Sequence, residues 1–303
     1  MENNDKPFQT PSNFHLAGIV PIAGQSLDFE MDFPDCMMPI SKNYTLVEHA
    51  VYECAMAGCD TIWLICNDDV APIIRYRIGD YIQDPVYFGR RSKFPSMERI
   101  RIPIFYVPIH PKDRDKRDCL SWSVIHGALT SLKVSSQLSK WLSPDKYYVS
   151  FPYGIFEVEG LREHRRLISS KKNFYVIHEN KNVSDNHYCS FTFGKDEFIR
   201  YRKNIRTKGT GMYTTDSVDE RGIPRSYLPV EERYSARFFS LSDVFSPIDL
   251  SNSNTHEPLS FHNVSSWEEY RHYMTSELSL TIERPWDGIM KYREFNPIGV
   301  DDV

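Results

Sequence analysis

Apolar and helical segments alternate along the first half of this chain. Residues 16–24 form an apolar run that ends at Gly24, residues 45–58 have helical spacing, and residues 59–66 form a second apolar run. Apolar runs bounded by turn residues are typical of strands buried on both faces, and a helix between two of them makes a right-handed parallel crossover. Because ligands in such sheets bind beyond the carboxyl ends of the strands, the loop after Gly24 is the first candidate site.

The alternation continues as far as residue 151. The expected elements are a helix from Asp68 to about Ile82, a basic connection over 84–101, a strand over 102–109, a charged loop over 110–117, a helix over 119–132 and a strand over 146–151. Strands that alternate with helices in this way predict an α/β fold with a doubly wound, mostly parallel sheet. The expected core consists of Ile19, Val20, Ile62, Leu64, Ile104, Tyr106 and Val149, with Val47, Val51 and Cys54 packed on it.

Beyond Gly160 the pattern weakens. Strands are expected over 174–178 and 189–193, a helix over 195–206, a loop over 246–258, and a final helix from Trp267 to about Leu278 behind a Ser266/Glu269 capping box. Residues 207–235 are rich in Gly, Thr, Asp, Arg and Pro, which predicts a functional loop or an arm that contacts a partner. The expected division is an N-terminal tail (1–14), an α/β domain (15–206), a loop or arm region (207–260) and a C-terminal helix and tail that complete the domain (261–303).

Composition narrows the classes of function. A formal net charge of -5 and a pI near 6.1 give no electrostatic footprint for general nucleic-acid binding. The six cysteines show no metal-ligand spacing and lie mostly in apolar segments, which favours reduced thiols and a cytoplasmic location. The polar start lacks the apolar core of a signal peptide, and no run is long enough to span a bilayer, so no membrane partner is expected.

The unit at residues 16–66 resembles the opening of the sugar-1-phosphate nucleotidyltransferases of the GT-A fold, which join a nucleoside triphosphate to a sugar phosphate. Residues 20–26 stand where that family has a glycine-rich loop with an arginine, residues 38–40 stand where it has a lysine-proline pair, and residues 43–60 match its helix-glycine-aspartate passage. The resemblance covers roughly residues 14–160 and returns around 260–278. It implies a sheet of the GT-A nucleotidyltransferase type with an irregular C-terminal extension.

The same resemblance suggests where a nucleotide would bind. The candidates are Ala23, Gly24, Gln25 and Ser26, with Trp122 at a helix start that loosely resembles the family's base-recognition turn. A glycine lets the backbone approach a phosphate closely, although Gly24 also suits the plain end of a strand. The Trp122 ring could stack on a base, or it could pack in the core of an amphipathic helix.

The cations of the family are replaced. Leu27, Asp28, Glu30 and Asp32 occupy the stretch where the family carries its arginine, and Met38 stands in place of its lysine. Carboxylates beside a triphosphate would repel it where water is excluded. Arginines elsewhere in the chain could substitute, or they could form a solvated surface.

The metal ligands of the family are replaced as well. Tyr153 follows the strand after which the family has an aspartate, and Asn263 and Ser265 stand where a second acid is expected. An amide and a hydroxyl are weak Mg²⁺ ligands compared with carboxylates. The resemblance therefore implies no metal at the expected positions, and Mg²⁺ is expected only if the protein is active at a relocated site. The carboxylates that could build such a site are Glu157, Glu159, Asp185 and Asp249.

Two functions follow from these observations. The first is a nucleotidyltransferase-like protein with lost or strongly reduced catalysis, which binds a nucleoside triphosphate or nucleotide sugar or serves in an assembly, with 207–235 contacting a protein partner or a second copy. The alternative is an active nucleotidyltransferase that forms a nucleotide sugar. The arrangement of carboxylates beyond Gly24 distinguishes them.

Overall fold

An eight-stranded sheet is the centre of the computed structural model, which describes residues 14–24, 33–88, 101–138, 143–207, 218, 221–224, 227 and 238–290. The strands are Leu16–Pro21 (β1), Pro39–Ser41 (β2), Tyr44–Thr45 (β3), Thr61–Cys66 (β4), Tyr81–Gln83 (β5), Arg101–Pro108 (β6), Lys146–Val149 (β7), Gly154–Phe156 (β8), Phe174–Val176 (β9), Phe191–Phe193 (β10), Asn254–His256 (β11) and Phe261–Asn263 (β12). The helices are Leu46–Ala57 (α1), Ala71–Ile78 (α2), Pro85–Phe88 (α3), Pro111–Lys116 (α4), Leu120–Leu138 (α5), Leu161–Ile168 (α6), Lys195–Thr207 (α7), Leu241–Phe245 (α8), Trp267–Met274 (α9) and Glu277–Thr281 (α10).

The large sheet has the strand order β11-β9-β10-β7-β1-β4-β6-β5. Strand β1 pairs in parallel with β4 and β7, and β4 pairs in parallel with β6, so that Ile19 lies opposite both Trp63 and Val149. Strands β10 and β5 run antiparallel to their neighbours. The predictions of a mostly parallel α/β sheet and of parallel neighbours at 17–23 and 61–66 are confirmed.

Local sequence signals define the first crossover helix. The Thr45 hydroxyl accepts from the Glu48 N–H, the Glu48 carboxylate accepts from the Thr45 N–H at 3.0 Å, and Gly58 ends α1 in the left-handed conformation. Every residue of α1 is buried. This agrees with its sequence, in which apolar positions continue around the helix instead of forming a single stripe.

The predicted core is largely as expected. All ten of the residues named above are buried except Tyr106, which is only partly buried. The Tyr106 hydroxyl donates to the Gly79 carbonyl oxygen at 2.6 Å, so its ring lies toward the edge of the sheet. The six cysteines are all buried free thiols.

Several predicted boundaries are wrong. The helix that starts near Asp68 ends at Ile78 because Gly79 adopts a φ of 85°, and residues 81–83 then pair with β6 as a strand. The charged segment 110–117 contains the short helix α4, and the helix predicted over 119–132 continues to Leu138. Gly79 is thus a local stop signal, whereas the strand at 81–83 depends on pairing with β6, which a local pattern does not contain.

The C-terminal part also differs in detail. The segment 246–258, expected as a loop, contains β11, which pairs in parallel with β9. The final helix divides into α9 and α10, and the Glu269 carboxylate accepts from the Ser265 N–H rather than from the Ser266 N–H. Most of the predicted arm 207–235, most of the basic connection 84–101 and nearly all of the tail 1–14 lie outside the described residues.

Helix α9 ties the end of the chain to its beginning. The hydroxyls of Tyr270 and Tyr273 donate to the carbonyl oxygens of Pro39 and Ile40 at 2.7 and 2.9 Å. Within the described residues, none of the helices combines the length and the apolar character needed to cross a bilayer.

A glycine at the start of β8 allows a close backbone approach, and its replacement tests the fold. A Cβ at Gly154 would collide with the Tyr188 carbonyl oxygen, whereas a Cβ at Gly160 would have no atom within 4 Å. We expect Gly154→Ala to lower the free energy of unfolding by about 2 kcal/mol or more, and Gly160→Ala to change it by less than about 0.5 kcal/mol. Urea denaturation measures both values, and equal effects of the two variants would contradict this packing.

A buried carboxyl group makes stability depend on pH. Glu53 on α1 accepts hydrogen bonds from the Tyr148 hydroxyl and the Ser150 hydroxyl, both at 2.6 Å. Burial raises the pKa of Glu53 from 4.5 to about 7, against a smaller opposing effect of its hydrogen bonds. Between these values the folded state binds more protons than the unfolded state, so the free energy of unfolding falls as pH rises.

Replacement of Glu53 should remove this dependence. We expect Glu53→Gln to abolish a loss of about 3 kcal/mol between pH 4.5 and 7, since one pKa unit corresponds to about 1.4 kcal/mol. The measurement is the urea midpoint at several pH values for wild type, for Glu53→Gln and for the exposed control Glu163→Gln. The prediction is wrong if the pH profile of Glu53→Gln parallels those of wild type and control.

Candidate functional site

The carboxyl end of β1 packs directly against the first turn of α5. A Cβ at Gly24 would lie 3.0 Å from the Leu120 backbone nitrogen and 3.1 Å from the Cys119 carbonyl carbon, so only glycine fits without displacement. The amino end of a helix carries partial positive charge and N–H groups that lack helical partners. The predicted site residue Gly24 is thus beside a feature that suits an anion.

The backbone just before Gly24 is already used by the sheet. The N–H groups of Ile22 and Ala23 both donate to the Ile65 carbonyl oxygen at 2.8 Å, and the Ala23 carbonyl oxygen accepts from the Ser123 hydroxyl. Ala23 is also buried. Its polar groups therefore have protein partners, and Gln25 and Ser26 lie outside the described residues.

A cavity of about 330 Å³ adjoins this turn. Its lining consists of Asp118, Cys119, Leu120, Ser121, Asn186, Tyr188 and residues 238–241. The Ser121 hydroxyl donates to the carbonyl oxygens of Phe239 and Ser240 at 3.3 and 3.1 Å, so residues 238–241 lie across the start of α5. The cavity combines a helix amino end with aromatic side chains, of which Phe238 is half exposed.

Trp122 lies in the first turn of α5, and its ring already contacts the side chain of Arg117. Its side chain is buried, and the Arg117 guanidinium carbon lies 4.4 Å from the ring centroid, a cation–π distance. Burial lowers the pKa of Arg117, and Arg206 and Arg202 lower it further, although Asp113 opposes them. Positive charge therefore gathers near the start of α5, and a base could stack on this face of Trp122 only after Arg117 moves.

Aromatic packing fills the first expected metal position. The Tyr153 ring is buried, with its centroid 5.4 Å from that of Tyr188, which in turn lies 5.7 Å from Phe151. Burial raises the pKa of Tyr153 well above its ordinary value, and Cys36 and Asp35 add to this effect. A neutral phenol in an apolar cluster is not a donor set for Mg²⁺.

The second expected metal position is occupied by internal hydrogen bonds. The Asn263 side-chain oxygen accepts from the Tyr188 N–H at 2.8 Å. The N–H and the hydroxyl of Ser265 both donate to the Glu269 carboxylate, at 2.6 and 2.5 Å. In the part of the chain that the structure describes, no three His, Cys, Asp or Glu side chains lie close enough to hold a metal ion, so these residues do not fit Mg²⁺.

The four candidate carboxylates do not meet beside Gly24. Glu157 and Glu159 line a different cavity. Asp185 accepts from the Asn182 N–H at 3.0 Å, and Asp249 accepts from the Ser251 N–H and hydroxyl at 3.1 and 2.6 Å. None of the four is among the residues that line the cavity at the start of α5.

Sequence reasoning missed several residues of this cavity. Asn186, Tyr188 and residues 238–241 come from distant parts of the chain, and the Asn186 side-chain oxygen accepts from the Ser242 N–H at 2.9 Å. A local signal in this region is the Ser240/Asp243 pair, which forms a capping box and indicates that a helix, α8, begins there.

Comparisons with known proteins identify the fold. No protein-family profile matches the chain, and no curated protein sequence is similar to it. A crystal structure assigned to a glucose-1-phosphate thymidylyltransferase from Bacillus anthracis, in complex with a sucrose, is similar over 90% of this chain and 98% of that chain, with a TM-score of 0.53 and 9% identity.

Two further solved structures are similar at lower scores. The nucleoside-diphosphate-sugar pyrophosphorylase from Vibrio cholerae RC9 has a TM-score of 0.45 and 12% identity, over 86% of this chain and 100% of that one. A UDP-glucose pyrophosphorylase complexed with UDP-glucose has a TM-score of 0.46 and 11% identity, over 86% and 97%. The likeness to the Bacillus protein shows the fold alone, and it confirms the fold that residues 16–66 predict: this chain has the architecture of the sugar-1-phosphate nucleotidyltransferases.

Proposed function

We propose that this nucleotidyltransferase-like chain has lost, or strongly reduced, the transfer reaction and acts as a nucleotide-binding or assembly component. The observation that carries the proposal is the state of the two metal positions. Tyr153 is buried among aromatic rings, and Asn263 and Ser265 are hydrogen-bonded to Tyr188 and Glu269. Each group already has a partner inside the protein.

The chemistry explains why these contacts matter. Nucleotidyl transfer requires neutralisation of charge on the phosphates, which Mg²⁺ held by carboxylates normally supplies. Moving a carboxylate into the apolar surroundings of Tyr153 would itself be costly, since a buried charge needs a compensating partner. The surroundings of Tyr153 therefore favour apolar packing, whereas transfer would require charged metal ligands at this position.

Nucleotide binding needs less than catalysis does. The cavity at the start of α5 offers a helix amino end for a phosphate and the rings of Phe238 and Tyr188 for a base. Arg117 adds positive charge nearby, which Asp118 on the cavity wall partly offsets. A nucleoside triphosphate or a nucleotide sugar is the class of ligand that suits this combination, with Gly24, Gln25 and Ser26 as further contacts.

The assembly role and the location are part of the same proposal. Residues 207–235 contain Arg221, Arg225, Tyr213 and Tyr227, residue types that are favoured in interfaces, and Tyr227 is 82% exposed. A protein partner or a second copy of the chain would bind there. Buried free thiols at all six cysteines support a reducing, cytoplasmic setting.

The proposal predicts inert chemistry with retained binding. We expect no appreciable Mg²⁺-dependent release of pyrophosphate with common nucleoside triphosphates and sugar phosphates, because loss of a single electrostatic contributor costs roughly 10²–10³ in rate. Several losses leave little activity, although such effects are not additive. A coupled pyrophosphate assay and calorimetry with the same nucleotides measure the two properties. Turnover at ordinary enzyme rates, abolished by changing Glu157, Glu159, Asp185 or Asp249, would instead establish the active nucleotidyltransferase.

Binding itself should depend on the arginine at the start of α5. We expect Arg117→Ala to weaken nucleotide affinity by about ten- to a hundredfold, since a charge-assisted hydrogen bond to phosphate contributes about 1.5–3 kcal/mol. The exposed Arg166 on α6 supplies the matched control, and Arg166→Ala should leave the affinity unchanged. Calorimetric titration of both variants decides it. An equal loss in both variants would mean that the nucleotide responds only to overall charge.

A further inference from the structure

A second cavity, of about 250 Å³, lies between α1, the segment after β8 and the end of α10. The side chains that carry the argument are Tyr44, His49, Tyr52, Glu157, Glu159 and Glu283. None of its lining residues is shared with the cavity at the start of α5. It is therefore independent of the proposed nucleotide site.

Negative charge in this cavity is not balanced by the described residues around it. Among those residues, Glu157, Glu159 and Glu283 make no ion pair, and all three are exposed at the mouth. Arg284 is adjacent in sequence, but its guanidinium lies 3.5 Å from Glu48 and 2.5 Å from Asp287. Glu159 reaches solvent but is partly enclosed, and this partial burial raises its pKa; a backbone hydrogen bond opposes the shift, and the charge of Glu157 adds to it.

The floor of the cavity is aromatic and buried. Tyr44, His49 and Tyr52 are 1%, 2% and 8% exposed. The His49 Nδ1 atom lies 3.3 Å from the Tyr44 hydroxyl, and within the described part of the chain its buried Nε2 atom has no hydrogen-bond partner. Burial lowers the pKa of His49 to about 4, against a smaller effect of the Phe156 backbone, so the ring is neutral at physiological pH. A neutral imidazole adds no positive charge that would repel a cation.

The geometry favours an organic cation over a metal ion. No set of three His, Cys, Asp or Glu side chains in the described ranges is close enough for metal coordination, so these carboxylates do not converge on one point. Separated carboxylates and tyrosine rings that line one cavity suit several ammonium groups on one carbon chain, because ring faces and carboxylates both attract cations. Val158 and Ile282 supply apolar walls for the carbon chain.

We propose that this cavity binds a small aliphatic polyamine, with the ammonium groups at Glu157, Glu159 and Glu283 and the chain against Tyr44 and Tyr52. The site makes this chain responsive to amines without using the residues at the start of α5.

Spermidine is the probe that tests the site. Isothermal titration calorimetry of the full chain should give a Kd below about 1 mM in low salt, weakened as sodium chloride screens the carboxylates. Glu159→Gln, Glu157→Gln and Glu283→Gln should each weaken binding by about three- to tenfold. The exposed Glu257, which does not line the cavity, supplies the control, and Glu257→Gln should retain wild-type affinity.

A second readout uses the wild-type protein alone. Side-chain NMR titration should show the pKa of Glu159 fall when spermidine is bound, because a nearby cation favours the charged carboxylate. The proposal is overturned if spermidine produces no binding heat, if Glu257→Gln weakens binding as much as the cavity variants do, or if MgCl₂ at equal ionic strength displaces spermidine completely. An unchanged pKa of Glu159 in the saturated complex would also overturn it.

Discussion

The packing of two helices onto the central strand β1 is the constraint on which the rest of this structure depends. A Cβ at Gly18 would lie 2.9 Å from the Cys54 sulfur of α1, and a Cβ at Gly127 of α5 would lie 2.5 Å from Ile65 and 3.2 Å from Ile19. Since protein interiors are close-packed, neither helix could approach the sheet this closely with a larger residue at these positions. This approach brings the start of α5 against Gly24 and so creates the cavity there.

The positions at which the family resemblance leads one to expect metal ligands are packed into the interior of this fold. Around Tyr153 the rings of Phe151 and Tyr188 form an apolar cluster, and the Tyr188 backbone also binds the Asn263 side chain. Tyr188 therefore contacts both Tyr153 and Asn263 and joins these two positions into one packed unit. Satisfied hydrogen bonds and buried rings stabilise this region without a buried charge that would need a compensating partner.

Two buried charged side chains of the described residues, Glu48 and Lys146, both have polar partners. Glu48 is 1% exposed at its side chain and contacts both Arg77 and Arg284, which fastens the C-terminal segment to α1. The Lys146 ammonium group, also buried, donates to the carbonyl oxygens of Ile168, Ser170 and Lys172. Glu157, Glu159 and Glu283, by contrast, are exposed, and they line a cavity where water or a ligand can reach them.

The sequence by itself determined the parts of this protein that depend on neighbouring residues. The apolar runs of β1 and β4, the helical spacing of residues 45–58 and Gly58 are local signals, and they were sufficient to predict the parallel crossover. The nucleotidyltransferase fold was expected from the resemblance that the same residues carry. The replaced positions Tyr153, Asn263 and Ser265 could also be read directly, because the resemblance aligns them along the chain.

Only the tertiary structure decided what those positions do. Nothing local indicates that Asn263 would bind the Tyr188 backbone, that Ser121 would bind residues 239 and 240, or that Glu283 and Glu157 would line one cavity. The two sets of hydrogen bonds join residues that are 75 to 119 positions apart in the sequence. Glu157 and Glu283 are separated by a still longer stretch of sequence. Periodicity reports which face of an element is buried, whereas the partner on that face is selected by the packing of the whole chain.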